Sequence, residues 1–173
     1  RNLIQLVSSG YLDGFYYKPR IDKDLLSRHS EGLIALSACL RGDINETLLA
    51  DRYEDAKRMA NEYSDLFGKK NFFLELQNHG LDPDEKVLPQ IHRLAGDTGI
   101  PLLATNDSHY LRQDDARAHE ILLCIQTGKT MSDPNRNRFT GPEFYPKPPE
   151  EMTSFVGRVA GATGRSRATR PAT

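Results

Sequence analysis

The chain has 173 residues, 38% of them hydrophobic and 27% charged, with a formal net charge of −1, which describes a globular chain with one sizeable core. This balance excludes a whole-chain electrostatic attraction to nucleic acid or membranes, and no apolar run approaches the roughly 20 residues of a spanning helix. Two cysteines, Cys39 and Cys124, are too few and too distant for a disulfide framework; with no signal peptide visible they read as reduced thiols of a cytoplasmic protein.

Residues 2–12 predict a short apolar helix, broken by Gly10 and Gly14. The aromatic cluster Phe15-Tyr16-Tyr17 leads into a turn at Lys18-Pro19-Arg20-Ile21, and Asp22 is placed to cap a helix over about 23–30. Gly32 stops that helix, and Leu33 to Cys39 reads as a buried strand. Residues 45–50 form a helical turn. From Tyr53 to Phe67 the apolar positions Tyr53, Ala56, Met59, Ala60, Tyr63 and Phe67 mark an amphipathic helix closed by Gly68.

Phe72 to Gln77 is the second strand. Pro83 suits the first turn of a helix running to about Thr98, with Gly99 as its stop. Leu102 to Thr105 is the third strand, and Asp114-Asp115 opens a helix to about Gln126, followed by Gly128. Pro134, Pro142, Pro146, Pro148 and Pro149 then impose an extended, irregular segment. Residues 153–173 lack Asp and Glu and are rich in Gly, Ala, Ser, Thr and Arg, a composition that predicts disorder.

The alternation of strands and helices predicts parallel strands joined by helical crossovers, an α/β sheet or part of a barrel. Three strands do not close a barrel. With Arg1 opening inside an apolar segment, the chain reads as a piece of something larger, the rest of the barrel preceding it.

In a parallel sheet every strand delivers its carboxyl end to the same edge, where α/β folds handle metals and substrates. The first strand ends at Cys39, the second runs into Gln77-Asn78-His79, and the third runs into Asp107 and His109. Asp107 and His109 stand two apart in an extended segment, so they project to one side and can grip one ion. A thiolate, imidazoles and a carboxylate suit zinc and similar divalent ions, and an ion with an open position activates water for hydrolysis.

Each group has a plainer role available. Asp107 and His109 fit a strand-to-loop turn, Cys39 a small buried hydrophobe, and His79 a turn residue bonded to backbone. Glu75 fits a polar contact within its strand, His29 a helix end, His92 and His119 boundary positions on helices, and Cys124 the core. Arg136-Asn137-Arg138-Phe139 with Lys129 and Lys147 is a modest basic and aromatic patch that suits either a phosphate backbone or solvent. There is no phosphate-binding loop, dinucleotide fingerprint or nucleophile elbow.

Several longer stretches resemble the PHP (polymerase and histidinol phosphatase) domain of bacterial DNA polymerase III alpha subunits. They are Gly14 to Asp22, Glu31 to Leu40, Leu74 to Gly80, Thr105 to Tyr110, Leu122 to Thr130, and Arg138-Phe139 through Tyr145. The resemblance covers about residues 1–152 in matching order. It implies the C-terminal portion of a distorted (β/α)7 barrel, incomplete here. Residues 1–130 would be a partial PHP barrel domain, 131–152 an extended connector towards a polymerase region, and 153–173 a disordered or non-family tail.

The resemblance also implies metal ligands at Cys39, Asp107 and His109, with His79 a nearby candidate. The metals would be divalent, zinc first with manganese or magnesium as alternatives, and magnesium would serve a polymerase region outside this chain. The implied parent is a DNA-directed DNA polymerase acting in DNA replication, with DNA, other replisome subunits and a proofreading exonuclease subunit as partners. Its PHP domain would carry a phosphoesterase or 3′–5′ exonuclease-type site. Two alternatives stand beside this: an inactive PHP scaffold that docks a proofreading subunit, and a stand-alone PHP phosphatase.

Overall fold

A computed structural model describes residues 1–162, with side chains described as far as Gly157. Seven helices and three strands follow in the order α1 (Asn2–Leu12), α2 (Lys23–Arg28), β1 (Ala35–Leu36), α3 (Asp43–Leu49), α4 (Tyr53–Phe67), β2 (Phe72–Leu76), α5 (Asp82–Thr98), β3 (Leu102–Ala104), α6 (Ala116–Thr127) and α7 (Pro149–Ala162). The strands form one sheet in the order β1-β2-β3. Both pairings are parallel, with Ala35 opposite Phe72 and Leu74 opposite Leu102. This is the expected α/β arrangement.

Local chemistry explains the helix boundaries. The Asp22 carboxylate accepts from the Leu25 N–H at 2.7 Å and caps α2. Pro83 lies in the first turn of α5, and Gly99 and Gly128 end α5 and α6 in the left-handed conformation. The amphipathic face of α4 buries Ala56 and Ala60 beside β2.

One core fills one side of the sheet. Ile44 and Leu48 from α3, Ala56 and Ala60 from α4, and Val87, Ile91 and Leu94 from α5 pack on Phe72, Leu74 and Leu76. The opposite side carries Leu36, Phe73, Glu75 and Leu103, of which Leu36 and Leu103 are exposed. Among the described residues this opposite side is only partly covered, with Glu75 buried at its centre and Leu36 and Leu103 left exposed.

Two expectations need correction. The strand foreseen over 33–39 shrinks to Ala35–Leu36, because Ala38 turns into the left-handed region at φ 65° and ends strand geometry before Cys39. Ile34, expected in a buried strand, is exposed. The disorder expected from Thr153 gives way to α7, which continues through Ala162. Phe155 from that helix is buried in the main core, enough to order its first turns. The remainder of the foreseen tail, 163–173, lies outside the described residues.

Candidate functional site

Asp107 and His109 lie just beyond β3, and the structure brings them together. His109 Nε2 stands 3.2 Å from Asp107 Oδ1, each side chain 34% exposed. The loop is fixed from outside the sheet. The His109 N–H donates to the Phe144 carbonyl at 2.8 Å, and the Tyr110 hydroxyl accepts from the Phe144 N–H at 3.1 Å. The proline-rich segment thus lies across the strand ends rather than running away from them.

His79 sits beyond β2, buried. Its ring stacks on Phe144 at 4.4 Å between centroids with a 5° interplanar angle. Its backbone N–H donates to Asp84 Oδ2 at 2.8 Å, and the same oxygen accepts from the Leu81 N–H at 3.1 Å at the start of α5. Burial pushes the His79 imidazole below its ordinary value, against the opposing pull of Asp84 and Asp107. A neutral ring stacked on an aromatic one serves packing first.

Sequence reading left out several members of this cluster. Phe139 packs on His109 at 4.4 Å and edge-on to Phe144 at 4.6 Å. His119, read as a boundary residue of α6, faces His109 at 5.5 Å and Tyr110 at 5.5 Å. Its imidazole is lowered by burial and then by the neighbouring His109. The signal was present in the aromatic residues interleaved with prolines at 139–145, but nothing local indicated where they would fold back.

Cys39 does not join this pair in a ligand set. It is a partly buried thiol in the loop after β1, and its carbonyl accepts from Asn45 Nδ2 at 2.9 Å. Among the described residues no three His, Cys, Asp or Glu side chains are grouped to hold a metal. Asp107 and His109 supply two donors, fewer than the three protein ligands of a catalytic zinc site. The described residues thus offer two paired donors rather than a complete metal centre.

Cys124 is buried as expected, with its sulfur 3.7 Å from Met131 Sδ. The basic patch is largely neutralised within itself. Arg136 pairs with Glu120 at 3.1 Å, Lys129 with Asp133 at 3.1 Å, and Lys147 with Glu143 at 3.5 Å. No described helix is long and apolar enough to cross a membrane.

Comparison with known proteins places this geometry in context. Residues 1–79 match the PHP domain family. The chain is 51% identical over 155 residues to the DNA polymerase III subunit alpha of Treponema pallidum (strain Nichols), and 49% identical over 156 residues to that of Thermus aquaticus. Each match covers 90% of this chain and 13% of the relative. The subunit of Deinococcus radiodurans is 47% identical over 152 residues, with 11% of its length covered. The likeness to the PHP region of polymerase III alpha subunits, read from the motifs, is confirmed.

Proposed function

Taking the chain as PHP-domain sequence of the DNA polymerase III alpha kind, we propose that it works as part of a replicative DNA-directed DNA polymerase. The observation that carries this is the 51% identity spread over 155 residues of a polymerase alpha subunit. Identity of that extent reaches well beyond any single motif.

In this reading the three strands belong to a distorted (β/α)7 barrel. The partly open face with Leu36, Phe73, Glu75 and Leu103 would be the one turned to the barrel interior, and the exposure of Leu36 and Leu103 supports a larger closed sheet. Residues 131–152 would connect towards a polymerase region. The partners would be primed DNA and other replisome subunits, in the cytoplasm.

Asp107 and His109 would contribute two ligands to a divalent metal site, zinc or else manganese or magnesium, and Cys39 would become a third only if the loop after β1 carried its thiol towards them. Their 3.2 Å pairing at the end of β3 supports this. The site would serve a phosphoesterase or 3′–5′ exonuclease activity. A second reading, a PHP scaffold that docks a proofreading subunit, is favoured by one feature: His79 stacks on Phe144 instead of turning to Asp107 and His109 as a further ligand. The stand-alone phosphatase has no comparable support.

The test uses the intact polymerase subunit with Asp107→Asn and, separately, His109→Ala. Metal content per chain, primer extension and 3′ hydrolysis are measured together. The metal reading expects lowered metal content and hydrolysis with primer extension kept. Unchanged metal content and hydrolysis would leave the scaffold reading, and absence of primer extension by the wild-type subunit would sink the polymerase assignment.

A further inference from the structure

Behind the strand ends, between β2, α3 and α5, lies a small internal cavity. It is bounded by Asn45, Glu75, Gln77 and Asp84 and walled by Leu40 and Ile91. About 10 Å³ is open there to the centre of a water molecule, about the least that houses one.

Two residues that line this cavity, Asn45 and Gln77, each carry a buried amide oxygen, Oδ1 and Oε1, with no hydrogen-bond partner among the described residues. The orientation of both amides is fixed by what their nitrogens do. Asn45 Nδ2 donates to the Cys39 carbonyl at 2.9 Å and to the Ala38 carbonyl at 3.3 Å, so its other end must be the oxygen. Gln77 Nε2 donates to Glu75 Oε1 at 3.0 Å and to Thr105 Oγ1 at 3.1 Å, while the Thr105 hydroxyl donates to the same Glu75 oxygen. Reversing either amide would break both bonds its nitrogen makes and turn its oxygen against another acceptor, the Ala38 and Cys39 carbonyls or the Glu75 carboxylate. Asn45 is 4% exposed, so bulk solvent does not reach it.

We propose that this cavity is a built site for a single ordered water molecule, which donates one hydrogen bond to Asn45 Oδ1 and one to Gln77 Oε1. A water has two donors, and two acceptors lack them. Leaving both unpaired would forfeit the hydrogen bonds that each oxygen makes to water in the unfolded chain. Calcium or magnesium fits the site poorly: each wants six or more oxygens, and Asp84 Oδ2 and Glu75 Oε1 are already engaged with protein donors.

The water completes a continuous chain of hydrogen bonds. It runs from the Cys39 carbonyl through Asn45, the water, Gln77 and Thr105 to Glu75, and so ties the carboxyl ends of β1, β2 and β3. The loop bearing Cys39 is thereby held in register with the loop bearing Asp107 and His109.

A high-resolution crystal structure of the full-length protein tests the inference. One solvent peak is expected at hydrogen-bonding distance, about 2.5–3.0 Å, from both amide oxygens, with no anomalous signal after a manganese or thallium soak. An empty cavity overturns the proposal. So does a peak that gains anomalous signal, which identifies a cation instead. The Gln77→Met variant, with one acceptor removed, should lose the peak, and a peak kept at full occupancy overturns the role given to Gln77. If crystals are not obtained, cross-relaxation between the Asn45 side-chain amide and a long-lived water reads the same point in solution, and its absence counts against the site.

Discussion

Replacing Phe144 by alanine should detach the proline-rich segment from the strand ends. Phe144 is 5% exposed, stacks on His79 at 4.4 Å and meets Phe139 edge-on at 4.6 Å. Burial of a phenylalanine side chain stabilises by roughly 1.5–3 kcal/mol, and two such ring pairs add about 0.5–1.5 kcal/mol each. The sum centres near 4 kcal/mol, inside the range of about 3–5 kcal/mol for Phe→Ala at packed sites. The Phe144 carbonyl survives the substitution, so the amide of His109 keeps an acceptor but loses the anchor that holds it in place.

Urea unfolding gives the total loss, and native-state hydrogen exchange at His109 gives the local one. With about 1.4 kcal/mol per tenfold, exchange at His109 should accelerate by roughly two to three orders of magnitude. Phe144→Leu keeps most of the burial and loses the ring pairs, so it should cost about 1–2 kcal/mol. A loss below about 1 kcal/mol for Phe144→Ala, with His109 exchange unchanged, would refute the reasoning and show that the segment is held elsewhere.

Three further predictions concern other parts of the fold. Gly42→Ala should destabilise by about 1–3 kcal/mol and displace the Cys39 loop, because an added Cβ would fall 2.3 Å from the Ser37 carbonyl oxygen; an unchanged urea midpoint would contradict it. Asp84→Ala removes the acceptor for two backbone N–H groups at a 2% exposed position, and should cost about 2–4 kcal/mol, with thermal unfolding as the readout. Burial and a hydrogen bond to Asp97 push the Tyr53 hydroxyl up to about 12 from 10.0. The folded state therefore holds this proton more tightly, so the stability it contributes is full below about pH 10 and is lost as pH rises from 10 towards 12. Tyr53→Phe should flatten that part of the alkaline stability profile, and an identical profile would count against the assignment.

Where a segment carries its own pattern, the sequence was readable. The spacing of Tyr53, Ala56, Ala60 and Tyr63 and the stop at Gly68 foretold α4, and Pro83 with Gly99 framed α5, because these signals act within one or two turns. Asp107 and His109 were placed together for the same reason, two residues apart at a strand's end. The brevity of β1 was not readable, since Ala38 has no local need for a positive φ. It adopts one where Asn45 grips the Ala38 and Cys39 carbonyls from the following helix. Nor was the aromatic cluster readable, because it joins His79, His109 and His119 to Phe139 and Phe144 across sequence separations of as many as 65 residues. Phe155 settled the order of α7 by reaching the core, against a composition that locally favoured disorder.

The strands lie side by side in the sequence in which they occur, β1 next to β2 and β2 next to β3. Each new strand therefore finds its template already made by the stretch of chain before it, and no strand must wait for a later one to open a gap. During synthesis, at roughly 5–20 residues per second, β2 would leave the ribosome only seconds after β1, with α3 and α4 between them to cover the growing face. The sheet can thus be laid down in the direction of translation, and its last pairing, at β3, is the step that delivers Asp107 and His109 to the strand ends.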